Sequence, residues 1–315
     1  MHVSSTYSPP TRVNTIEQEV RLLEKGKGVV DFSGHGILRL EGKDTLDFLH
    51  RISTNDLKDI RPGESSQTVL TTEKGRVIDS VVMHHQGDFL LAVTSTGTGK
   101  KVQQWLEKFI IMEDVKILNL SGKGILLVQM NSGGAADSLI SSQQVSSFRG
   151  KYFGADATFY YSDENAGLSG VVAKRVSAEA FDLYCIKHGI VQTAPEVLGE
   201  CNPLELNMWE QISFTKGCYI GQEVIARLDT YKKLQRTLCR VQTENEFHTS
   251  PNHRLTFQQK ELGILLNDGF RKKAEGHFVA LAVIRKEYAI SGAAYMPDNS
   301  QATVFIDHIF ERSEP

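Results

Sequence analysis

The chain has 315 residues, of which 40% are hydrophobic and 23% are charged, and its formal net charge is -3. These proportions are typical of a globular protein with two or three domains. The small negative charge argues against direct contact with nucleic acid, because nucleic-acid-binding proteins carry a basic surface. No stretch approaches the ~18 apolar residues of a membrane span, and the N-terminus lacks the apolar segment of a secretory signal.

The four cysteines are widely spaced, at Cys185, Cys201, Cys218 and Cys239, and they form no C-x-x-C pair. This spacing favours neither a structural zinc site nor a disulfide scaffold, so we assign no metal ligands. Four cysteines in 315 residues without a disulfide pattern favour a reducing compartment. We therefore expect a cytoplasmic protein, or one of an organellar matrix or stroma if the chain is eukaryotic and processed.

The first part of the chain, residues 15–120, alternates helices and strands after a flexible tail predicted over 1–14. Apolar periodicity predicts helices over 15–25, 44–52 and 97–109. Strands are predicted over 29–32, 36–40, 67–71, 76–84, 89–94 and 115–120. This order indicates an α+β layer with helices on one face of a mostly antiparallel sheet. His35 lies in a glycine-rich turn between the first two strands and is expected to be solvated.

Two further parts follow. A second α/β part is predicted over 121–196, with helices over 133–145 and 178–189 and strands over 125–130, 145–161 and 168–176. A connecting segment over 197–236 includes a short helix over 204–211. Beyond it, several short strands separated by Gly, Pro and Asn turns predict a small β-barrel over 237–315.

Two polar stretches invite a functional interpretation. The cluster Ser53-Thr54-Asn55-Asp56 follows a predicted helix, where such residues either bond to nearby backbone or line a cavity; capping is the favoured interpretation. The run from Thr96 to Lys101 has two glycines but not the spacing of a phosphate loop, so we interpret it as a strand–helix turn.

The most distinctive stretch is Lys-Gly-Cys-Tyr-Ile-Gly-Gln-Glu, residues 216–223. Gly217 and Gly221 permit a tight turn or a close approach of a ligand around Cys218. Helical spacing begins after Gly221, so Cys218 is expected on a turn before a helix N-terminus, where a thiol becomes reactive. The alternative is a buried structural cysteine in a tight loop.

This stretch, entered by Phe214-Thr215, resembles the K-G-C-Y-x-G-Q-E signature of the YgfZ and Iba57 folate-binding proteins. These are relatives of the glycine-cleavage T-protein, an aminomethyltransferase. Other segments resemble motifs of the same superfamily, namely 30–33 (D-x-S turn), 40–57 (with Thr-Asn-Asp), 72–80 (a hairpin) and 203–205 (P-x-E).

The resemblance implies a fold and a function. The fold is α+β, a three-domain cloverleaf ring of two α/β (ferredoxin-like) parts and a C-terminal β-barrel around a channel for tetrahydrofolate or a one-carbon derivative. The function is support of iron–sulfur cluster assembly or repair, including that of tRNA-modifying radical enzymes. The implied partners are folate and iron–sulfur client or assembly proteins, and a monomer is expected. The alternatives are a tetrahydrofolate-dependent aminomethyl- or methyltransferase, and a protein scaffold that has lost folate.

The resemblance also implies site residues. Cys218 is the reactive group, and Lys216 would favour its thiolate. The implied folate contacts are Thr54, Asn55, Asp56, Asp79, Lys187, Glu205, Tyr219, Gln222, Glu223 and Arg227. Arg227 either binds the glutamate tail of folate or pairs with Glu223, and Gln222 and Glu223 are equally suited to capping the helix.

Two residues depart from the superfamily pattern. Where the T-protein has two consecutive aspartates, this chain has Asp79-Ser80, and a serine cannot replace a carboxylate as an electrostatic partner or proton acceptor. This argues against aminomethyl transfer. Lys187 stands where an acidic residue would bond the pterin, so folate binds weakly or in another orientation, or does not bind, unless the alignment slips by one residue.

Overall fold

The structure is a computed structural model that describes residues 15–131, 146–162, 174–192, 195–246, 253–267, 270, 272–274, 276–298, 300 and 302–312. The predicted tail over 1–14 and the predicted helix over 133–145 lie outside these residues, as does most of the strand predicted over 168–176. Among the helices that are described, none is long and apolar enough to cross a membrane.

The helices are α1 (Ile16–Glu24), α2 (Thr45–Ile52), α3 (Gly99–Glu107), α4 (Ala178–His188), α5 (Pro195–Leu198) and α6 (Gln222–Thr230). Five of them confirm predicted helices, and α5 falls in the predicted connection. The helix predicted over 204–211 is wrong, because only a 3₁₀ turn forms there, Trp209–Gln211. Asn207 has a positive φ of 58°, which a right-handed helix cannot accommodate.

The strands are β1 (Gly28–Asp31), β2 (His35–Glu41), β3 (Ser65–Thr71), β4 (Val77–His85), β5 (Leu90–Thr96), β6 (Lys116–Asn119), β7 (Ile125–Met130), β8 (Ser146–Tyr152), β9 (Ala155–Ser162), β10 (Lys174–Arg175), β11 (Arg236–Thr243), β12 (Arg254–Phe257), β13 (Lys260–Leu265), β14 (Lys272–Ala274), β15 (His277–Arg285), β16 (Ala294–Tyr295) and β17 (Val304–Ile309). They form three sheets. The prediction of a mixed α and β fold is confirmed.

The first sheet has the order β3-β4-β5-β2-β6 and is antiparallel throughout, as predicted. Helices α2 and α3 bury apolar side chains such as Phe48, Leu49 and Leu106 against one face. The other face contributes Val69 and Val82 to a larger core that it shares with the second sheet. Burial on both faces makes this sheet the rigid base for the residues around the candidate site.

The second sheet has the order β10-β1-β7-β9-β8. Strand β1 pairs antiparallel with β7 and parallel with β10, and α1 and α4 contact each other beside it. The chain therefore enters the second sheet before it builds the first. The domain limits at residues 120, 196 and 236 stay a prediction.

The third sheet has the order β12-β13-β15-β11-β17-β16, with β14 beside β15. It is a curled half-barrel, and irregularities after Arg240 and Leu255 interrupt the regular pairing of its strands. Such irregularities bend a strand and increase the twist of a sheet. The strands predicted in this region are confirmed.

His35 is buried, so the prediction of a solvated loop residue is wrong. It begins β2 and stacks on Phe32 with the ring centroids 3.9 Å apart. The intervening turn returns the chain so that the His35 amide donates to the Phe32 carbonyl, which brings the two rings face to face. Burial lowers the pKa of His35 to about 4, although an interaction of the imidazole with the Phe32 backbone acts in the opposite direction.

We expect His35→Phe to reduce the acid sensitivity of the fold. Because His35 has a folded pKa of about 4 and an ordinary value of 6.5, the unfolded chain binds the extra proton as pH falls from 6.5 towards 4. The parent should therefore lose about 2 kcal/mol of stability through this residue between pH 7.5 and pH 5. Urea unfolding at both pH values measures the loss, and an equal loss in parent and variant would show that His35 is not the cause.

Candidate functional site

Lys216 fixes the motif loop, residues 213–222, to the end of α2. Its ammonium donates to the carbonyl oxygens of His50, Ser53 (2.8 Å) and Asn55 (2.7 Å). A helix leaves its last carbonyls unpaired and carries negative charge there, so Lys216 acts as a cap from a distant part of the chain. Burial lowers the pKa of Lys216 to about 8, against the opposing charge of Asp56. All three N–H groups are used here, and a role of Lys216 at the Cys218 thiol stays a prediction.

Gly221 brings the same loop into contact with the hairpin between β3 and β4. Thr71 Oγ1 donates to the carbonyl of Ile220 at 2.5 Å. Gly221 has a φ of 85°, and a Cβ there would lie 2.6 Å from the carbonyl oxygen of Thr72. At Gly217 a Cβ would meet nothing within 4 Å. Of the two glycines expected to shape the loop, only Gly221 is required by the geometry.

Cys218 is exposed, whereas Cys185, Cys201 and Cys239 are buried, and all four are free. Burial raises the pKa of Cys201 and of Cys239 to about 12, and that of Cys185 well above its ordinary value. The buried thiols are therefore unreactive at neutral pH. The alternative of a buried structural cysteine at 218 is wrong. As predicted, Cys218 lies on a turn just before a helix, α6.

The remaining predicted residues of the motif have varied surroundings. Tyr219 is buried, and its ring centroid lies 5.4 Å from the Lys216 ammonium. Gln222 Nε2 donates to the Gly217 carbonyl at 3.4 Å and so closes the loop. Glu223 and Arg227 are exposed, and no ion pair joins them, contrary to the i,i+4 pair that their spacing favours.

Thr54 and Asn55 connect the end of α2 to the segment that precedes the motif loop. Thr54 Oγ1 donates to the Gln211 carbonyl at 2.7 Å, and Asn55 Nδ2 donates to the Glu210 carbonyl at 3.3 Å. Asp56 instead accepts from the Lys58 amide and lies 3.1 Å from His50 Nδ1. Ser53, which donates to the Leu49 carbonyl, and Asp56 make the local contacts of the capping interpretation, whereas Thr54 and Asn55 bond to a distant segment.

The two buried carboxylates among the predicted ligands already have protein partners. Asp79 accepts hydrogen bonds from Ser80, Ser95 and Thr98, and burial raises its pKa. Glu205 accepts two bonds of 2.9 Å from the guanidinium of Arg236 at the start of β11. Both carboxylates thereby join separate elements of the fold.

Ser80 points to the opposite face of β4 from Asp79. Its hydroxyl accepts from Gln67 Nε2 at 2.9 Å and donates to Gln211 Oε1 at 2.7 Å. All three residues are buried. This network leads from the first sheet to a cavity beside the motif segment.

That cavity, which we call the Trp209 cavity, has a volume of about 420 Å³, within the range of small-molecule sites. Its wall includes Phe153, His188, Trp209, Glu210, Gln211 and Arg312. The Arg312 guanidinium lies 4.7 Å from the Trp209 ring centroid. None of the twelve predicted site residues lines it, although Thr54 and Asn55 bond to the backbone of its wall.

Lys187 lies outside the Trp209 cavity. Its ammonium is 2.7 Å from Glu24 Oε1, and it lines a second cavity of about 520 Å³ together with Arg240 and Asp307. We call this the Lys187 cavity. From the His-Gly segment, His188 and Gly189 line the Trp209 cavity and Lys187 does not, and a folate contact of Lys187 stays a prediction.

Sequence reasoning missed Gln67, Gln211 and Arg312. Only Gln211 had a local sequence feature that could have indicated its role, an amide between two apolar segments. No such feature marks Gln67 or Arg312, because their roles depend on contacts between distant segments. Across the part of the chain that the structure describes, no group of three or more His, Cys, Asp or Glu side chains is arranged to hold a metal ion.

Comparison with known proteins finds similarity to aminomethyltransferases and a related transferase. Residues 1–153 match the family described as the GCVT N-terminal domain. The chain is 26% identical to a chloroplastic candidate transferase of Arabidopsis thaliana, over 88% of this chain and 69% of the relative. It is 22% identical to the aminomethyltransferase of Staphylococcus carnosus, over 89% and 85% of the two chains.

The fold matches the glycine cleavage system aminomethyltransferase T from Bartonella henselae with a TM-score of 0.66 and 16% identity, over 91% of this chain and 88% of that chain. The architecture is thus that of an aminomethyltransferase T. The sequence matches show similarity to the same group of proteins. The aminomethyltransferase family binds tetrahydrofolate, the cofactor expected from the sequence.

We expect Gly221→Ala to destabilise the protein by about 2–4 kcal/mol, because a Cβ would clash with the hairpin backbone at a positive φ. The matched control is Gly217→Ala, which should change stability by no more than about 0.5 kcal/mol. Urea unfolding followed by circular dichroism measures both. Similar effects of the two substitutions would contradict the assigned close approach.

Proposed function

We propose that this protein binds tetrahydrofolate, or a one-carbon derivative, in the Trp209 cavity and supports iron–sulfur cluster assembly or repair through Cys218. The observation that carries the proposal is continuity along the chain. The cavity wall at 209–211 runs directly into the loop that presents Cys218, the one exposed thiol of four. A ligand in the cavity can therefore influence the position of that thiol.

The chemistry of the cavity suits a reduced folate. Trp209 and Phe153 offer aromatic surface for a flat ring, and Glu210 and Gln211 offer an acceptor and an amide at its edge. Arg312 offers a guanidinium for the glutamate tail. We assign the tail to Arg312, because Arg312 lines the cavity and Arg227 does not.

The proposal includes the arrangement of domains. The three sheets would be the three parts of a T-protein ring, with limits near residues 120, 196 and 236 except that β1 joins the second sheet, and the Trp209 cavity would be part of its channel. The chloroplastic relative supports the organellar alternative for the compartment. The proposed partners are iron–sulfur client enzymes or assembly proteins of that compartment, and a monomer is the proposed state.

Aminomethyl transfer is the second candidate, since relatives carry that name. In the T-protein pattern an aspartate beside the one-carbon nitrogen occupies the position of Ser80. Here the Ser80 hydroxyl is engaged by Gln67 and Gln211, and Asp79 is turned to the other face under its own hydrogen bonds. The site therefore offers no carboxylate at that position, which favours the first candidate.

We expect folate to quench the fluorescence of Trp209. The chain has two tryptophans, so a Trp105→Phe background isolates the signal. Arg312→Ala should weaken tetrahydrofolate binding about tenfold by removing the proposed partner of the glutamate tail, and Arg227→Ala, outside the cavity wall, is the matched control. No quenching at millimolar folate would favour the scaffold alternative.

We expect Cys218→Ala to fold normally and to fail to restore iron–sulfur enzyme activity in a strain that lacks this protein. Cys201→Ala is the control, because that thiol is buried and has no access to a client. Enzyme activity, with protein amounts measured by immunoblot, is the readout. Full restoration by Cys218→Ala would refute the role of the thiol.

A further inference from the structure

A chain of hydrogen bonds connects a backbone amide to the Trp209 cavity. The Phe153 amide donates to Gln67 Oε1 at 2.8 Å, and Gln67 Nε2 donates to Ser80 Oγ at 2.9 Å. Ser80 Oγ then donates to Gln211 Oε1 at 2.7 Å. Gln67 and Ser80 are each 6% exposed and Gln211 is 3% exposed, so the connection is shielded from water.

The direction of this relay is fixed at its first bond. A backbone amide can only donate, so Gln67 must turn its carbonyl oxygen to Phe153 and its nitrogen to Ser80. The Ser80 hydroxyl accepts from Gln67 through its oxygen. Its single proton therefore points elsewhere and requires an acceptor. Gln211 Oε1 supplies it. A flipped Gln211 would leave a buried hydroxyl proton without a partner, which is costly.

The relay leaves Gln211 with donors alone on the side of the cavity. Its backbone carbonyl accepts from Thr54 Oγ1, and Oε1 accepts from Ser80. Within the described ranges, no protein group accepts from Gln211 Nε2, although Gln211 is part of the cavity wall. The side chain therefore presents its N–H groups to the cavity, while Oε1 is turned to Ser80.

We propose that this relay makes the Trp209 cavity select a folate that carries a hydrogen-bond acceptor at its one-carbon end, as a formyl group does, over the unsubstituted amine. The inference rests on the proposed function, in which Ser80 marks that end of the ligand. A formyl oxygen is a strong acceptor for Gln211 Nε2. The unsubstituted amine offers only the weaker lone pair of its nitrogen, and its N–H finds no acceptor on this side chain, so a site of fixed polarity discriminates between the two ligands.

Residue 80 then sets the polarity of the cavity. In Ser80→Asp, the carboxylate has no proton to give at neutral pH, so Gln211 must turn its nitrogen towards residue 80 and its oxygen towards the ligand. In Ser80→Ala the link is broken and Gln211 can turn either way. Gln211→Glu places an acceptor in the cavity without a change at Ser80.

The test compares the affinities of 5-formyltetrahydrofolate and tetrahydrofolate by Trp209 fluorescence in the Trp105→Phe background. The parent should prefer the formyl form by about tenfold or more. Ser80→Ala should bind both about equally, and Ser80→Asp should prefer tetrahydrofolate. Ser66→Ala, on β3 but outside the relay, is the control and should keep the parent's preference.

The outcomes separate the inference from the function on which it rests. Equal affinities in the parent, or an unchanged preference in Ser80→Ala, overturn the inference and leave the proposed function standing. If the parent binds neither folate, the proposed function fails and the inference falls with it. Should Ser80→Asp not fold by circular dichroism, Gln211→Glu takes its place, with the same reversed preference expected.

Discussion

The contact between the Lys216 ammonium and the carbonyl end of α2 determines the layout of the candidate site. It joins a loop late in the sequence to a helix of the first sheet, and Gly221 adds a second attachment at the β3–β4 hairpin. Thr54 and Asn55 hold the preceding segment by its backbone. Residues 209–222 are thus fixed at three places on one sheet, while the Cys218 side chain remains accessible.

Many of the polar residues in the motifs hold the site together and do not line the cavity. Asp79 is saturated by hydroxyl and amide donors, and Glu205 is paired with Arg236 in a largely buried ion pair. Removing one partner of such a pair leaves an uncompensated charge, so these residues are expected to be sensitive to substitution for structural reasons. Loss of activity after their mutation would not by itself identify a ligand contact.

Most helices and strands could be predicted from the sequence, whereas contacts between segments far apart in the chain could not. Local apolar periodicity predicted α2 and β4 well, because burial of one face imposes that pattern. It failed at His35, whose burial depends on a stack with Phe32 across a turn, and at 204–211, where Asn207 breaks the helix. The cavity wall escaped prediction because it combines segments far apart in the chain, and Gln211 acquires its orientation only through Ser80.

Two cavities of similar size offer different surroundings for a folate. The Trp209 cavity combines aromatic surface, an oriented amide and Arg312 beside the Cys218 loop, whereas the Lys187 cavity lies between α1, α4 and the third sheet. A crystal structure with bound 5-formyltetrahydrofolate is the most direct test. The ligand should lie against Trp209, with an acceptor within hydrogen-bond distance of Gln211 Nε2. A ligand in the Lys187 cavity, with the Trp209 cavity vacant, would contradict the account.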